Sequence, residues 1–447
     1  MPGKHNIKKV IQLELNEISP YLIRKLVNQG KLPNFKKVIS EWQQVDTTSE
    51  DIYEHIEPWI QWVTVHTGKT YTEHGIFRLG DAHDLKHPQI WECLQESSVK
   101  SAIIGAMNAI PGNFKDGIFF PDPWSKSNTT MPGSLKGLWK VISSKVQSHS
   151  TSQPSVRDFI DTLSAVKEFK LSPFLLARIA KQIINQKIDP KCKWRLVGLF
   201  DLFLGELFIN VLKKNEHRYL TLFLNSVAHY QHHFWRNLEP EKFDQNVKAP
   251  DCNPEDNPLL YGYEVLDEVL GKTFKEINFD DTLVLIVSGL SQIPDTRSEQ
   301  VGGMNYYRLI DHKAFASRLN VPSDNVFPLM SRDWQVRLEE NKKEDFIRGI
   351  EAFRVDSHPL FTVSKNADGY VFIETAVTQK IAADAMIYFG DQTIGRFHDN
   401  FVNIAVKSGH HTGVGVLWSS KNLSNFGFSN SMPLTKIFDL TRQVFQS

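Results

Sequence analysis

Four short apolar runs, each closing on polar residues, constrain the fold of this chain most. They read KKVIQLELN (8–16), KSAIIGAMN (100–108), YLTLFLNS (219–226) and DTLVLIVSG (281–289). Each is short for a helix and too continuously apolar for a strand with one wet face, so each reads as a strand covered on both sides. Segments of helical period lie between them. SPYLIRKLVNQG offers Ser19 as a cap, Pro20 for the first turn and Gly30 as a stop. EPWIQWVTVHTGK enters a helix at Pro58, and QIWECLQESS reads as another. GYEVLDEVLGKTFKEI puts Val265, Val269, Leu270 and Phe274 on a shared face. Strand and helix in alternation predict an α/β chain, with a mainly parallel central sheet and helices on both faces.

The alternation stops twice. Residues 134–217 carry helix-like periodicity and are expected to form an inserted helical cap over the ligand-binding rim, with 1–133 and 218–447 as the core. Residues 295–395 are mixed and more polar, and read as a second insertion within that core. Inside the first, LVGLFDLFLGELFINVL (196–212) is strongly apolar. It is shorter than the ~20 residues of a membrane span, and Asp201 and Glu206 interrupt it. A buried or amphipathic helix is the preferred reading and a membrane-surface or partner-binding helix the other. No membrane partner is expected.

Charge and cysteine usage narrow the function. The 51 basic residues balance 51 acidic ones, so no net positive field gathers a polyanion, and nucleic acid is not an expected partner. The aromatic residues are spread and form no stacking platform. Cys93, Cys192 and Cys252 have no pair spacing and fit a reducing compartment. With no apolar leader before the first strand, a cytoplasmic protein is expected.

In such sheets ligands gather beyond the carboxyl ends of the strands. There the chain places ELNE (14–17), NSVAHYQHH (225–233), SGLSQ (288–292) and SGHHTG (408–413). His229, His232 and His233 fall on roughly one face of a helical turn, and imidazole suits divalent transition metals. His410 and His411 sit in a Gly-bounded turn. Alternation puts Glu14 and Asn16 on one side of the first strand and Glu17 across from them. Glu14 inside an apolar run demands a basic partner or a cation. Glu57 has two readings: an acid or base at the site, or a first-turn carboxylate favoured by the helix dipole.

Taken in order, several stretches resemble the alkaline phosphatase superfamily, in its branch of type I phosphodiesterases and nucleotide pyrophosphatases. They are VIQLELNEISPYLIRKLVNQGKLPNFKKV, WVTVHTGKTYTEHGIF, IWECLQESSVKSAIIGAMNAIP, AHYQHHFW, YEVLDEVLGKTF with DTLVLIVSG, and SGHHTGVGVLWSS. The resemblance covers most of the chain outside the two insertions. It implies an alkaline phosphatase-like fold and chemistry on phosphate or sulfate esters, with two divalent cations and a Thr, Ser or formylglycine nucleophile.

Residue by residue, this chain departs from that pattern. The first metal aspartate falls on Asn16 and the nucleophile near Pro58, with Glu57 before it. The Asp-His-Gly stretch falls on Gly289, Leu290 and Ser291, and the aspartate preceding the metal histidine on Ala228. His232 and His411 match. The resemblance thus implies one divalent site, zinc or manganese, on His232 and His411, with His229 as third ligand and Asn16 peripheral. Glu57 is the candidate catalytic residue, and Glu14 and His410 are candidate substrate contacts. A small anionic ester is the expected substrate. Two functions stay open: a divergent metal-dependent hydrolase or transferase, and a catalytically inactive relative that binds an anionic ligand or a protein partner.

Overall fold

The structure, a computed structural model, describes residues 7–125, 133–146, 156–248, 252–253, 255–329, 331–365, 369–428 and 430–446. One eight-stranded sheet organises it. Its members are β1 (Lys9–Leu15), β2 (Gln43–Thr48), β3 (Ser101–Ile104), β4 (Gly117–Phe120), β5 (Tyr219–Leu224), β6 (Thr282–Ser288) and the strands Val414–Ser419 and Ser431–Pro433. The spatial order is Ser431–Pro433, β2, Val414–Ser419, β6, β1, β5, β3, β4. From β6 to β4 all neighbours are parallel, whereas Val414–Ser419 runs antiparallel to both of its neighbours. The mainly parallel α/β architecture expected from the sequence is the one observed.

Alternation along β1 divides the core in two. Ile11, Leu13 and Leu15 join a cluster with the helices Pro20–Asn28, Pro33–Glu41, Arg195–Lys213, Ser226–Leu238 and Pro258–Phe274. Val10 joins the other, with Trp62 of the helix Pro58–Thr67, Trp91 of Ile90–Glu96 and Leu440 of Lys436–Gln446. Because both faces are buried, β6 reads as a nearly unbroken apolar run, whereas β1 also buries Gln12 and Glu14 on the face of Val10.

Helix ends follow the expected chemistry in part. Gly68 closes Pro58–Thr67 in a left-handed conformation, φ 68°. Ser19 stands at the N-cap of Pro20–Asn28 without a side-chain cap bond, and its N–H donates to the Tyr263 hydroxyl at 2.9 Å. The helix Pro33–Glu41 is capped from another helix: the Asp267 carboxylate accepts the N–H groups of Asn34 and Phe35 at 3.0 and 2.8 Å. Replacing Asp267 by Ala should therefore cost about 1 kcal/mol. A urea midpoint identical to the parent's would refute that account of the cap.

The described residues between β4 and β5 form the helices Gly133–Val146, Val156–Glu168, Pro173–Ile188 and Arg195–Lys213, with a short 3₁₀ turn at Pro190–Cys192. The apolar run 196–212 falls in the last of these helices. It is buried, and most of it lies on a face of the sheet rather than over the rim. Leu204, Leu207, Phe208 and Val211 share a cluster with Ile104 and Leu222, because so large an apolar surface is stable only against another one. Its first turns do reach the rim, where the Asp201 carboxylate accepts the N–H groups of Asn225 and Ser226 at 3.2 and 2.8 Å. No helix among the described residues is long and apolar enough to cross a membrane. Further along the chain, Tyr307, Trp334, Phe353, Phe361 and Phe401 belong to a separate apolar cluster, with no strand of the central sheet in it. Residues 147–155, 330 and 366–368 of the two expected insertions lie outside the described residues.

Candidate metal centre

β1 stops at Leu15, and two residues later Glu17 takes a left-handed backbone, φ 56°. For a residue with a side chain that conformation costs on the order of 1 kcal/mol or more, and it brings the carboxylate back over the rim. β5 leads through Asn225 into the helix Ser226–Leu238, which carries His232. The strand Gly409–Thr412 carries His411 and pairs antiparallel with Ser291–Pro294, just beyond β6. Ser408 ties that strand to the helix. Its N–H donates to the His232 carbonyl at 2.6 Å, and its hydroxyl oxygen accepts the Trp235 N–H at 2.9 Å. The helix is non-helical at Phe234, φ −131°, where this residue from outside inserts into its hydrogen-bond ladder.

Three side chains meet on this rim. Glu17 Oε2 lies 3.1 Å from His232 Nε2 and 3.0 Å from His411 Nε2, and the two imidazole nitrogens are 3.2 Å apart. His232 Nδ1 faces the Gly409 carbonyl oxygen at 3.2 Å. That carbonyl favours the proton on Nδ1 and leaves Nε2 as a lone pair. A lone pair 3.1 Å from a carboxylate oxygen is repelled unless a proton or a cation serves both. Ligand atoms around a four-coordinate ion with bonds of ~2.0–2.2 Å stand ~3.3–3.6 Å apart. The triangle here has sides of 3.0–3.2 Å, so the three side chains need part by only a few tenths of an ångström to reach that spacing. Two imidazoles and a carboxylate fit a divalent cation, and this is the one such group among the described residues.

Glu17 is held from behind. Asn16 Nδ2 donates to its Oε1 at 3.0 Å, Gln292 Nε2 donates to its Oε2, and Gln231 Nε2 donates to its backbone carbonyl at 2.6 Å. Outer contacts of this kind orient a ligand, so Gln292→Leu should weaken zinc binding by about tenfold. An unchanged zinc titration would show that Gln292 positions nothing.

Burial alone would raise the Glu17 carboxyl, but His411 and His232 outweigh it and hold it well below the usual carboxylate range. Burial likewise opposes charge on His411, yet Glu17 and Glu57 raise its imidazole above the ordinary value. His232 is lowered by burial, which Glu17 only partly offsets. A proton on His411 and a metal ion are therefore competitors for the same electrons. Lys407 is hydrogen-bonded to Tyr306, and its charge bears on Glu57, His232, His410 and His411.

Of the residues picked from the sequence, the structure brings His232 and His411 together and sets Glu57 beside them, Oε2 3.5 Å from His411 Nδ1. It does not bring the others into the group. His229 packs on His233, ring centroids 4.7 Å apart, and burial pushes its imidazole down to about 4. Residues three apart on a helix are neighbours, so helix geometry alone does not exclude His229; its ring is instead taken up by His233 and by Tyr230, the latter with ring centroids 5.8 Å apart. Asn16 turns its one ligating oxygen to the Trp62 indole N–H at 2.7 Å and spends its amide hydrogens on Glu17 and Asn225.

Glu14 is buried inside the sheet rather than at the rim, bonded to Gln12 and Thr221, with His66 Nε2 at 3.0 Å as the basic partner its position demands. SGHHTG contains a strand instead of a turn, so His410 projects opposite to His411 and lies 3.9 Å from Asp295 Oδ1. Glu17 is the residue that sequence alternation does not identify. Continued past Leu15, strand periodicity sends it away from the site, and only the left-handed turn returns it. Nothing local in the sequence marks that turn. At the position the resemblance gives to a second metal, Leu290 is fully buried, and a Cβ on Gly289 would meet Gln61 Cβ at 3.3 Å.

No family model and no curated protein matches this chain. Among solved structures it is similar to phosphonoacetate hydrolase from Sinorhizobium meliloti 1021 in complex with phosphonoacetate. That match has 11% identity over 98% of this chain and 96% of the other, with a TM-score of 0.47. It is also similar to murine ectonucleotide pyrophosphatase/phosphodiesterase 5, at 12% identity over 98% and 95%, with a TM-score of 0.41.

Proposed function

We propose that this protein is a divergent metal-dependent hydrolase or transferase of small phosphate or sulfate esters, with one divalent cation, zinc or manganese, held by Glu17, His232 and His411. The observation that carries this reading is the convergence of three donor atoms, 3.0–3.2 Å apart, from three distant parts of the chain on one rim of the sheet. A divalent cation held there would polarise an ester oxygen and lower the pKa of a bound water. The chain's own groups supply the rest. Glu17 brings a single negative charge, so the centre keeps a net positive charge suited to an anionic ester. Glu57, raised by burial, is the acid or base, because a carboxyl moved toward neutrality exchanges protons more readily at working pH. Lys407 receives a charged ester oxygen.

A second reading is favoured by one observation. Pro58, Gly289 and Leu290 stand where the resemblance puts the nucleophile and the second metal, which suits an inactive relative that binds an anion or a protein partner. Metal analysis with assays on p-nitrophenyl phosphate, bis(p-nitrophenyl) phosphate and p-nitrophenyl sulfate separates the two. Turnover that follows metal content and disappears in His411→Ala supports the enzyme. Stoichiometric metal without turnover supports the second reading, and a protein that takes up no added zinc or manganese overturns the metal centre itself. We also propose that 134–217 and 295–395 are insertions into a core of 1–133 and 218–447. The three unpaired cysteines support a cytoplasmic site of action.

A further inference from the structure

The helix Pro173–Ile188 carries an apolar stripe that the described chain leaves uncovered. Phe174, Ile184 and Ile188 are 73%, 60% and 80% exposed. With the exposed Ala177 and Lys181 they recur in steps of three and four, which keeps them on one side of the helix. The opposite side packs inward: Leu175 and Gln182 are buried, and Leu175 belongs to the apolar cluster against the sheet. The preceding helix, Val156–Glu168, exposes Ile160 and Leu163 as well. An exposed apolar stripe running the length of a helix, as on Pro173–Ile188, marks an interaction site.

The charge of this helix is one-sided. PFLLARIAKQIINQKI holds Arg178, Lys181 and Lys187 and no acidic residue, in a chain whose basic and acidic residues balance at 51 each. We propose that the helix docks the protein onto an anionic lipid surface, with the stripe in the acyl boundary and the lysine ammonium groups among the headgroups. Lys181 argues against a second copy of this chain as the occupant. It stands midway between Phe174 and Ile188, so a two-fold pairing along the stripe, parallel in register or antiparallel about its midpoint, sets it against its own counterpart. Two like charges would then share an apolar seam. A lipid surface reverses the sign of that contact: the lysine stem is buried while its ammonium reaches a phosphate. This surface is separate from the run 196–212, whose helix is buried, and it is independent of any chemistry at the metal centre.

The test is flotation of the full chain with vesicles of phosphatidylcholine alone and of equal parts phosphatidylcholine and phosphatidylglycerol. The floated fraction should rise by about tenfold or more on the anionic vesicles and fall back in high salt. It should be lost in F174S/I184S/I188S and separately in K181E/K187E, with the circular dichroism of both variants unchanged. All five of these side chains are exposed, and the second variant keeps the test decisive if the first folds poorly. Protein that stays unfloated on both vesicles overturns the proposal. Equal binding to both vesicles overturns its electrostatic half. A concentration-dependent dimer in vesicle-free buffer that F174S/I184S/I188S abolishes assigns the stripe to a second copy and overturns it as well.

Discussion

Glu17→Gln should bind zinc or manganese at least about a hundredfold more weakly than the parent protein. Altering outer contacts of a metal ligand already costs about 10- to 100-fold, and here a directly contacting, charged donor is removed. The amide is nearly isosteric, so the loss reports charge and donor chemistry rather than collapse of the rim. One amide orientation also turns N–H groups toward His232 and His411, where a cation needs lone pairs. His232→Ala and His411→Ala should lose binding to a similar degree. Competition with a chromophoric chelator measures all three variants, and an affinity for Glu17→Gln within about threefold of the parent's, far short of the loss expected for a ligand, would place any metal elsewhere. The pH dependence has a definite sign. The carboxylates of Glu17 and Glu57, outweighing burial, raise His411, so it keeps its proton above the ordinary imidazole range. Affinity should therefore climb with pH through neutrality until His411 is neutral, and fall as acid returns the proton.

Gly409→Ala should cost about 1–3 kcal/mol of stability and take metal binding down with it. The strand Gly409–Thr412 crosses the helix Ser226–Leu238 so closely that a Cβ at Gly409 would press on the Gln292 side-chain oxygen and stand 2.6 Å from the Gln231 carbonyl oxygen. The Gln231 carbonyl is backbone and cannot swing aside, so strand and helix must separate. His411 is two residues along that strand and His232 one residue along that helix. The same displacement therefore opens the triangle of donor atoms. Urea denaturation and zinc titration of the variant check both halves. Gly133→Ala, where an added Cβ meets nothing within 4 Å, is the control that should leave both unchanged. Parent-like stability and affinity in Gly409→Ala would mean that the close approach does not hold the centre together.

The sequence by itself determined the layer architecture. DTLVLIVSG is apolar at successive positions because β6 is buried on both faces, and KKVIQLELN is apolar on the face of Ile11, Leu13 and Leu15 while Gln12 and Glu14 break the other; such periodicity is a local property of the backbone. The need of Glu14 for a basic partner was equally legible, since a carboxylate in an apolar strand cannot remain unpaired, although His66 as that partner was not. Motif order also led to His232 and His411. Only the tertiary structure decided which residues complete the centre. Glu17 enters it through a left-handed turn, His229 is drawn off by packing on His233, and Asn16 is drawn off by Trp62. These outcomes depend on contacts between residues far apart in the chain, such as Gln292 with Glu17 and Ser408 with Trp235. Strand and helix periodicities extend over a few residues. The direction of one side chain at a strand end is set by whichever distant groups pack and hydrogen-bond against it once the chain has folded.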